Sequence, residues 1–192
     1  MRALPWLLLL SLAIATTAST APADVENNLV FRRENGETIV FKPTVKTFAW
    51  CGDYDEDDVL IPTVHVITYD TTLTSGRYWR LWAIPANVVI GQPQNFPNTW
   101  TWPNPDSTQI FVGDPPNEAS TSTEESAGSV VFQQLDCVEG GTVEFTVDAR
   151  IGSEFGDGTW ISVQGSLRAT IGTSPFVAAK PSTWGAVKAI YR

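Results

Sequence analysis

Apolar and polar residues alternate with a period of two along much of this chain, which is the pattern of β-strands that bury one face. The alternation is clearest in two segments, residues 142–151 and 160–171. Pairing Ile151 with Ile161 makes the apolar faces of the two segments coincide. The same register sets opposite charges face to face, Glu144 against Arg168, which favours it further. We therefore predict an antiparallel hairpin with one face in the core and the other in water.

Turn residues divide the rest of the chain into further strands. Asn35-Gly36, between the two apolar arms of residues 29–42, predicts a second hairpin because both central residues of a type I′ turn need positive φ. Further strands are predicted over residues 44–50, 59–70, 77–84, 109–112 and 129–138. The pattern gives about eight to ten strands and no long helix. It predicts an all-β fold, an antiparallel β-sandwich of the jelly-roll or Greek-key type.

Residues 91–129 differ in composition from the strands around them. They contain six prolines and end in a polar run that begins at Asn117. We predict a long excursion here with one short strand, residues 109–112. Loops of this length in small domains are usually functional or disordered.

The first 23 residues have the layout of a secretory signal peptide. Arg2 precedes an apolar stretch from Leu4 to Ile14, and small residues follow it at a cleavage motif. The stretch is too short to span a membrane, and no longer apolar run occurs elsewhere. We therefore expect no transmembrane span and a secreted or periplasmic protein of bacterial type.

Removing this leader leaves a predicted β-sandwich domain, residues 24–175, and a basic tail, residues 176–192. Ser182 or Thr183 is a candidate cap for a short helix in the tail. Two interpretations stay open: the tail packs on its own domain, or it is a sorting or anchoring signal.

Charge limits the range of partners. Without the leader the chain has 11 basic and 21 acidic residues, a formal net charge of −10. A nucleic-acid-binding protein normally carries a basic surface, and this chain has none of that character. We expect no nucleic acid among its partners. The acidity suits an extracellular protein or one that binds cations.

Two cysteines, Cys51 and Cys137, are the only ones in the chain. In an oxidising compartment they are expected to form a disulfide. The alternative, a catalytic thiol, requires a base, and the chain has a single histidine, His65. One histidine is also too few for an ordinary zinc site.

The densest charge in the sequence is an acidic run over residues 53–58, directly after the first cysteine. Asp53, Asp55 and Asp57 have the spacing of the first three ligands of a calcium loop. The match ends there, because Asp58 stands where that loop requires glycine. A looser Ca²⁺ site is one hypothesis for this run, and a solvated acidic turn is the other.

Three aromatic residues in the proline-rich excursion, Phe96, Trp100 and Trp102, are the candidate ligand-binding residues. Aromatic rings on a loop offer flat apolar surfaces to a polysaccharide or to a surface protein. Aromatic rings beside prolines also pin long loops to their own sheet, and the sequence leaves both interpretations open.

Candidate catalytic chemistry is sparse. Glu154 and Asp157 are two carboxylates in the turn of the strongest hairpin, and a glycan hydrolase uses a carboxylate pair. The neighbouring glycines have a simpler explanation, a turn that needs positive φ. The sequence therefore favours a non-enzymatic binding or surface-associated module. The alternatives are a small extracellular hydrolase that uses these carboxylates and a structural subunit of an extracellular assembly.

Overall fold

Antiparallel β-strands make up this protein. The computed structural model describes residues 25–41, 46–56, 59–69, 76–98, 100–101, 104–105 and 108–173. These residues form thirteen strands and no α-helix, with a single 3₁₀ turn at Pro85–Asn87. The predicted leader and the C-terminal tail lie outside the described residues. Within the described ranges, no helix has the length and apolar character that crossing a membrane requires.

The strands are β1 (Val25–Asn27), β2 (Val30–Arg33), β3 (Lys46–Glu56), β4 (Val59–Tyr69), β5 (Tyr78–Ala83), β6 (Pro93–Phe96), β7 (Trp100–Thr101), β8 (Asn104–Pro105), β9 (Thr108–Asp114), β10 (Asn117–Ser120), β11 (Ala127–Leu135), β12 (Thr142–Ser153) and β13 (Trp160–Thr170).

One sheet contains eleven of these strands, and β7 pairs with β8 separately. The main path runs β1-β13-β12-β10-β9-β5-β4-β3. Beside it, β11 pairs with β12 and β6, and β2 pairs with β13. The sheet is nearly closed, because the backbone N–H of Gly172, just after β13, donates to the carbonyl of Ala49 in β3 at 2.9 Å.

The strongest predicted hairpin is confirmed in its register. Strands β12 and β13 pair Ile151 with Ile161 and Glu144 with Arg168. The arginine Nε lies 3.5 Å from the glutamate carboxylate, and both side chains are exposed. The alternation that predicted the hairpin appears as a regular succession of buried and exposed residues along β12. A turn with Gly36 at φ of +84° also forms, but the bond from the N–H of Gly36 to the carbonyl of Arg33 centres it on Glu34 and Asn35 rather than on the predicted Asn35-Gly36 pair.

Two predictions about irregular segments are wrong. Residues 53–56 of the acidic run belong to β3 and pair with β4 rather than forming a loop, because the apolar residues of β4 pair with β3 along its full length. The proline-rich excursion contains five short strands, β6 to β10, where one was predicted. Among its described prolines, Pro93 begins β6 and Pro105 ends β8, and strand ends tolerate a missing N–H.

A single apolar cluster fills the inside of the sheet. Its largest fully buried side chains include Trp79, Phe31, Phe132 and Phe145. The rings of Phe31 on β2 and Trp79 on β5 stack with their centroids 5.8 Å apart, although these strands are not hydrogen-bonded neighbours. The two sides of the sheet therefore face each other across one core.

The predicted disulfide is present. Cys51 in β3 and Cys137, two residues after β11, have Cα atoms 5.0 Å apart and close a loop with a sequence separation of 86. Both half-cystines pack against the apolar cluster. The bond ties β3 to the segment that follows β11.

Replacing Cys51 and Cys137 together by alanine will lower the free energy of unfolding by about 4–5 kcal/mol, because a long loop is released in the unfolded chain. Urea denaturation followed by tryptophan fluorescence measures this loss. Reducing the unaltered protein must give a similar loss, because reduction opens the same loop without changing the sequence. An unchanged urea midpoint in both samples would contradict the role of the bond.

Candidate binding site

A groove opens at the end of the sheet where three turns come together. The turns follow β2, join β9 to β10 and join β12 to β13. The groove has a volume of about 370 Å³. We call it the end groove; it is lined by Arg33, Glu34, Asn35, Asp114, Asn117, Glu118, Ala119, Ser153, Thr159, Trp160 and Ile161.

Backbone hydrogen bonds hold the three turns in place. The turn after β2 closes through the N–H of Gly36, which donates to the carbonyl of Arg33 at 2.8 Å. The turn between β12 and β13 is fixed to β10, because the N–H of Glu154 donates to the carbonyl of Glu118 at 2.9 Å. Short turns on paired strands give a groove with a defined shape.

The carboxylate of Asp114, at the end of β9, organises the inner side of the groove. Its side chain is 3% exposed. Arg33 binds both of its oxygens, with Nε donating at 2.7 Å and Nη2 at 3.1 Å. Arg77 donates from Nε to the same carboxylate at 2.7 Å. A buried carboxylate with several charge-assisted hydrogen bonds compensates its loss of hydration.

A second carboxylate completes the charge balance of the arginines. Arg33 Nη1 lies 2.6 Å from the carboxylate of Glu37, four residues along the chain. The hydrogen bonds that Arg33 donates to Asp114 are the main cause that raises the pKa of Arg33, and Arg33 in turn lowers the pKa of Glu37. Two guanidinium charges, on Arg33 and Arg77, thus meet two carboxylates.

The outer rim of the groove is acidic. The hydroxyl of Tyr78 donates to Oε1 of Glu118 at 3.3 Å. Burial raises the pKa of Tyr78, and the charges of Glu118 and Glu154 raise it further. Both carboxylates therefore lie near one phenol, and both glutamates are exposed.

The aromatic part of the groove is Trp160, the first residue of β13. Its ring is half-buried, and the guanidinium carbon of Arg150 lies 5.8 Å from the ring centroid. Ala119 and Ile161, which belong to the apolar core, also border the groove. Phe155, in the adjoining turn, is 65% exposed. This end of the sheet therefore combines flat apolar surface with hydrogen-bonding groups.

The predicted ligand-binding aromatics are only partly described. Phe96 is 6% exposed and belongs to the apolar core. The backbone of Trp100 forms part of β7, its side chain lies outside what the structure describes, and Trp102 lies outside the described residues altogether.

The predicted calcium ligands are only partly described. Asp53 is exposed on β3, and Asp55 is placed in the same strand by its backbone. Asp57 lies outside the described residues. In the described part of the chain, no group of three His, Cys, Asp or Glu residues is arranged to hold a metal ion.

The predicted carboxylate pair lies next to the groove, in the turn between β12 and β13. Asp157 accepts hydrogen bonds from Thr159, from the hydroxyl at 2.7 Å and from the backbone N–H at 2.9 Å. These bonds lower the pKa of Asp157, and the bond from the Thr159 hydroxyl has the larger effect. Its carboxylate therefore stabilises its own turn and stays ionised.

The single histidine belongs to an aromatic group on the outer face of β3, β4 and β5. Its ring stacks on Trp50 with centroids 4.9 Å apart, and Trp82 approaches it edge-on at 6.0 Å. Burial lowers the pKa of His65 from 6.5 to about 4, and the charge of Arg80 contributes to the shift. His65 is therefore neutral at physiological pH and has a packing role.

No family model, curated protein or solved structure matches this chain. The predicted site residues did not include Arg33, Asp114, Glu118 or Trp160. Each of them borders a turn, but only the strand order shows that the three turns meet.

Replacing Asp114 by asparagine will lower the free energy of unfolding by about 3–5 kcal/mol, because it leaves two arginines without their shared charge. Chemical denaturation measures the loss. Glu37→Gln is the matched control, since this exposed ion pair contributes little to stability. Equal losses in the two variants would contradict the role assigned to Asp114.

Stability will also depend on His65 between about pH 6.5 and 4. In this range the unfolded chain binds a proton that the folded protein rejects, so stability falls as pH falls. The loss reaches about 3 kcal/mol near pH 4. Urea denaturation at several pH values, compared with His65→Phe, isolates this contribution. The expectation fails if both proteins lose stability in parallel across this range.

Proposed function

We propose that this protein is an exported, non-enzymatic binding module that holds a segment of a polysaccharide in the end groove. One observation carries the proposal: a half-buried tryptophan, Trp160, forms one wall of a groove whose remaining lining is rich in hydrogen-bonding side chains. Ligand sites typically combine apolar surface with a few placed polar groups.

The chemistry of a sugar ring suits this lining. One face of a pyranose carries C–H groups, which pack on a flat aromatic ring, while its edge carries hydroxyl groups. Asn35 and Asn117 supply donors and acceptors from two different turns, and the Glu118 carboxylate supplies acceptors. The turns are held by backbone hydrogen bonds, so little ordering is required when a ligand binds.

The proposal includes the sandwich arrangement and export to an oxidising compartment. The contact between Phe31 and Trp79 across the core supports two layers of one folded-over sheet. The disulfide and the leader-like pattern of residues 1–23 support export.

A binding role is favoured over hydrolysis by the state of Asp157. A general acid needs a raised pKa, and the hydrogen bonds from Thr159 lower the pKa of this carboxylate. Asp157 therefore does not suit the role of the acid in the hydrolase alternative, and that role would fall to Glu154. An assembly subunit would join through strand edges, and light scattering at increasing concentration tests that alternative.

Trp160→Ala will abolish retention on polysaccharides while leaving the fold intact. Affinity electrophoresis through gels that contain xylan, soluble cellulose, glycol chitin or chitosan measures retention, and circular dichroism checks the fold. Val138→Ala is the control, because Val138 is an exposed apolar side chain in the turn before β12, at the opposite end of that strand.

Two results would contradict this proposal. Unchanged retention of Trp160→Ala would exclude the end groove as the site. Release of reducing sugar ends by the unaltered protein, lost in Glu154→Gln, would establish the hydrolase alternative instead.

A further inference from the structure

The charge of the end groove identifies the kind of sugar it takes. We propose that the groove selects a cationic sugar unit, a hexosamine with a free amine, over its neutral N-acetylated counterpart. This inference rests on the proposed function and narrows its ligand class. It is carried by the balance of charges around the groove, by the aromatic wall and by the shape of the cavity.

The arginines of the groove have no net charge left for an anion. Arg33 and Arg77 share the carboxylate of Asp114, and Arg33 also pairs with Glu37. These two cations and two anions cancel at short range. Arg33 is thus part of the lining, but it does not make the groove positive.

The remaining charges of the lining are negative. Glu34 and Glu118 both border the cavity, and among the residues the structure describes neither has a cationic side chain within salt-bridge distance. The hydroxyl of Tyr78 is the partner of Glu118, and a phenol carries no positive charge at neutral pH. Glu154 lies in the adjoining turn rather than in the lining, and its charge also acts on Tyr78.

The aromatic wall strengthens the preference for a cation. An ammonium group near the face of a tryptophan ring is attracted by the ring quadrupole. The guanidinium of Arg150 already lies 5.8 Å from the centroid of Trp160, and its Nε is bound to the carbonyl of Glu125 at 2.9 Å. Arg150 itself lies outside the groove lining.

Sugars that are anionic or neutral fit this cavity less well. A uronate or a sulfated sugar would bring a second negative charge beside Glu34 and Glu118. A neutral sugar would use the ring of Trp160 but would leave the acidic rim without a partner. A protonated amine satisfies both features, and the strongly acidic chain attracts cations from a distance.

Isothermal titration calorimetry with a glucosamine tetramer and an N-acetylglucosamine tetramer tests the inference at mildly acidic pH. The two probes share one backbone and differ in the charge at each nitrogen. We expect the glucosamine tetramer to bind at least tenfold more tightly at low salt. The difference should shrink in high salt, because ions screen exposed charges.

Three variants distinguish selective binding in the end groove from general attraction of a cationic sugar to an acidic protein. Glu118→Gln should weaken binding of the glucosamine tetramer five- to tenfold and leave the N-acetylated tetramer unchanged. Glu139→Gln, an exposed carboxylate in the turn before β12, should change neither affinity. Trp160→Ala should remove binding of both tetramers. Circular dichroism confirms that each variant is folded.

The outcomes distinguish this inference from the proposed function. Equal affinity for the two tetramers, with both lost in Trp160→Ala, would overturn the cationic preference and leave the polysaccharide groove in place. Equal weakening by Glu118→Gln and Glu139→Gln would reduce the preference to general attraction and overturn it too. If neither tetramer binds, the preference is wrong, and retention on the polysaccharide gels decides the proposed function separately.

Discussion

Strand β12 has hydrogen-bonded partners on both edges, and the rest of the sheet depends on that arrangement. One edge pairs with β13 throughout, and the other pairs first with β11 and then, at its end, with β10. A shift of one residue in the β12–β13 register would turn every core side chain of a strand toward water. The same shift would move the turn after Ser153 away from β10. The register therefore determines both the core and the place where the end groove opens.

The Asp114 carboxylate stabilises that end of the sheet in a different way. Apolar packing ends where the inner face of the sheet meets the turns. There the buried carboxylate of Asp114 binds two arginines, Arg33 and Arg77, which come from different parts of the chain. The groove lining thus rests on a satisfied ionic cluster beside an apolar core. Removing Asp114 leaves Arg33 and Arg77 without the charge that they share, which is why such clusters are costly to break although replacing them entirely by apolar groups often is not.

Local regularity decides how much of this could be predicted from the sequence. The β12–β13 register was predictable because alternation and one charge pair, Glu144 with Arg168, agree on it. The disulfide followed from the compartment and the cysteine count. The acidic run was assigned to a loop because charge repulsion argues against regular structure, yet pairing with the apolar β4 carries β3 through it. Phe96 was a candidate surface residue because its neighbours are prolines, but burial depends on contacts that no local pattern contains. The end groove could not be predicted from a local pattern either, since it joins residues from three turns that are distant in sequence.

Two carboxylates at the same end of the sheet, Asp114 and Glu118, show how one residue type takes two roles. Asp114 is buried and its oxygens are used by arginines, so its charge stabilises the fold and is unavailable to a ligand. Glu118 is exposed and accepts only a long hydrogen bond from a phenol in the described part of the chain, so its charge contributes little to the fold. Carboxylates that crowd without cations repel one another, and an arriving cation relieves that repulsion. The acidic rim around Trp160 is therefore more readily understood as a surface for binding than as a support for the sheet.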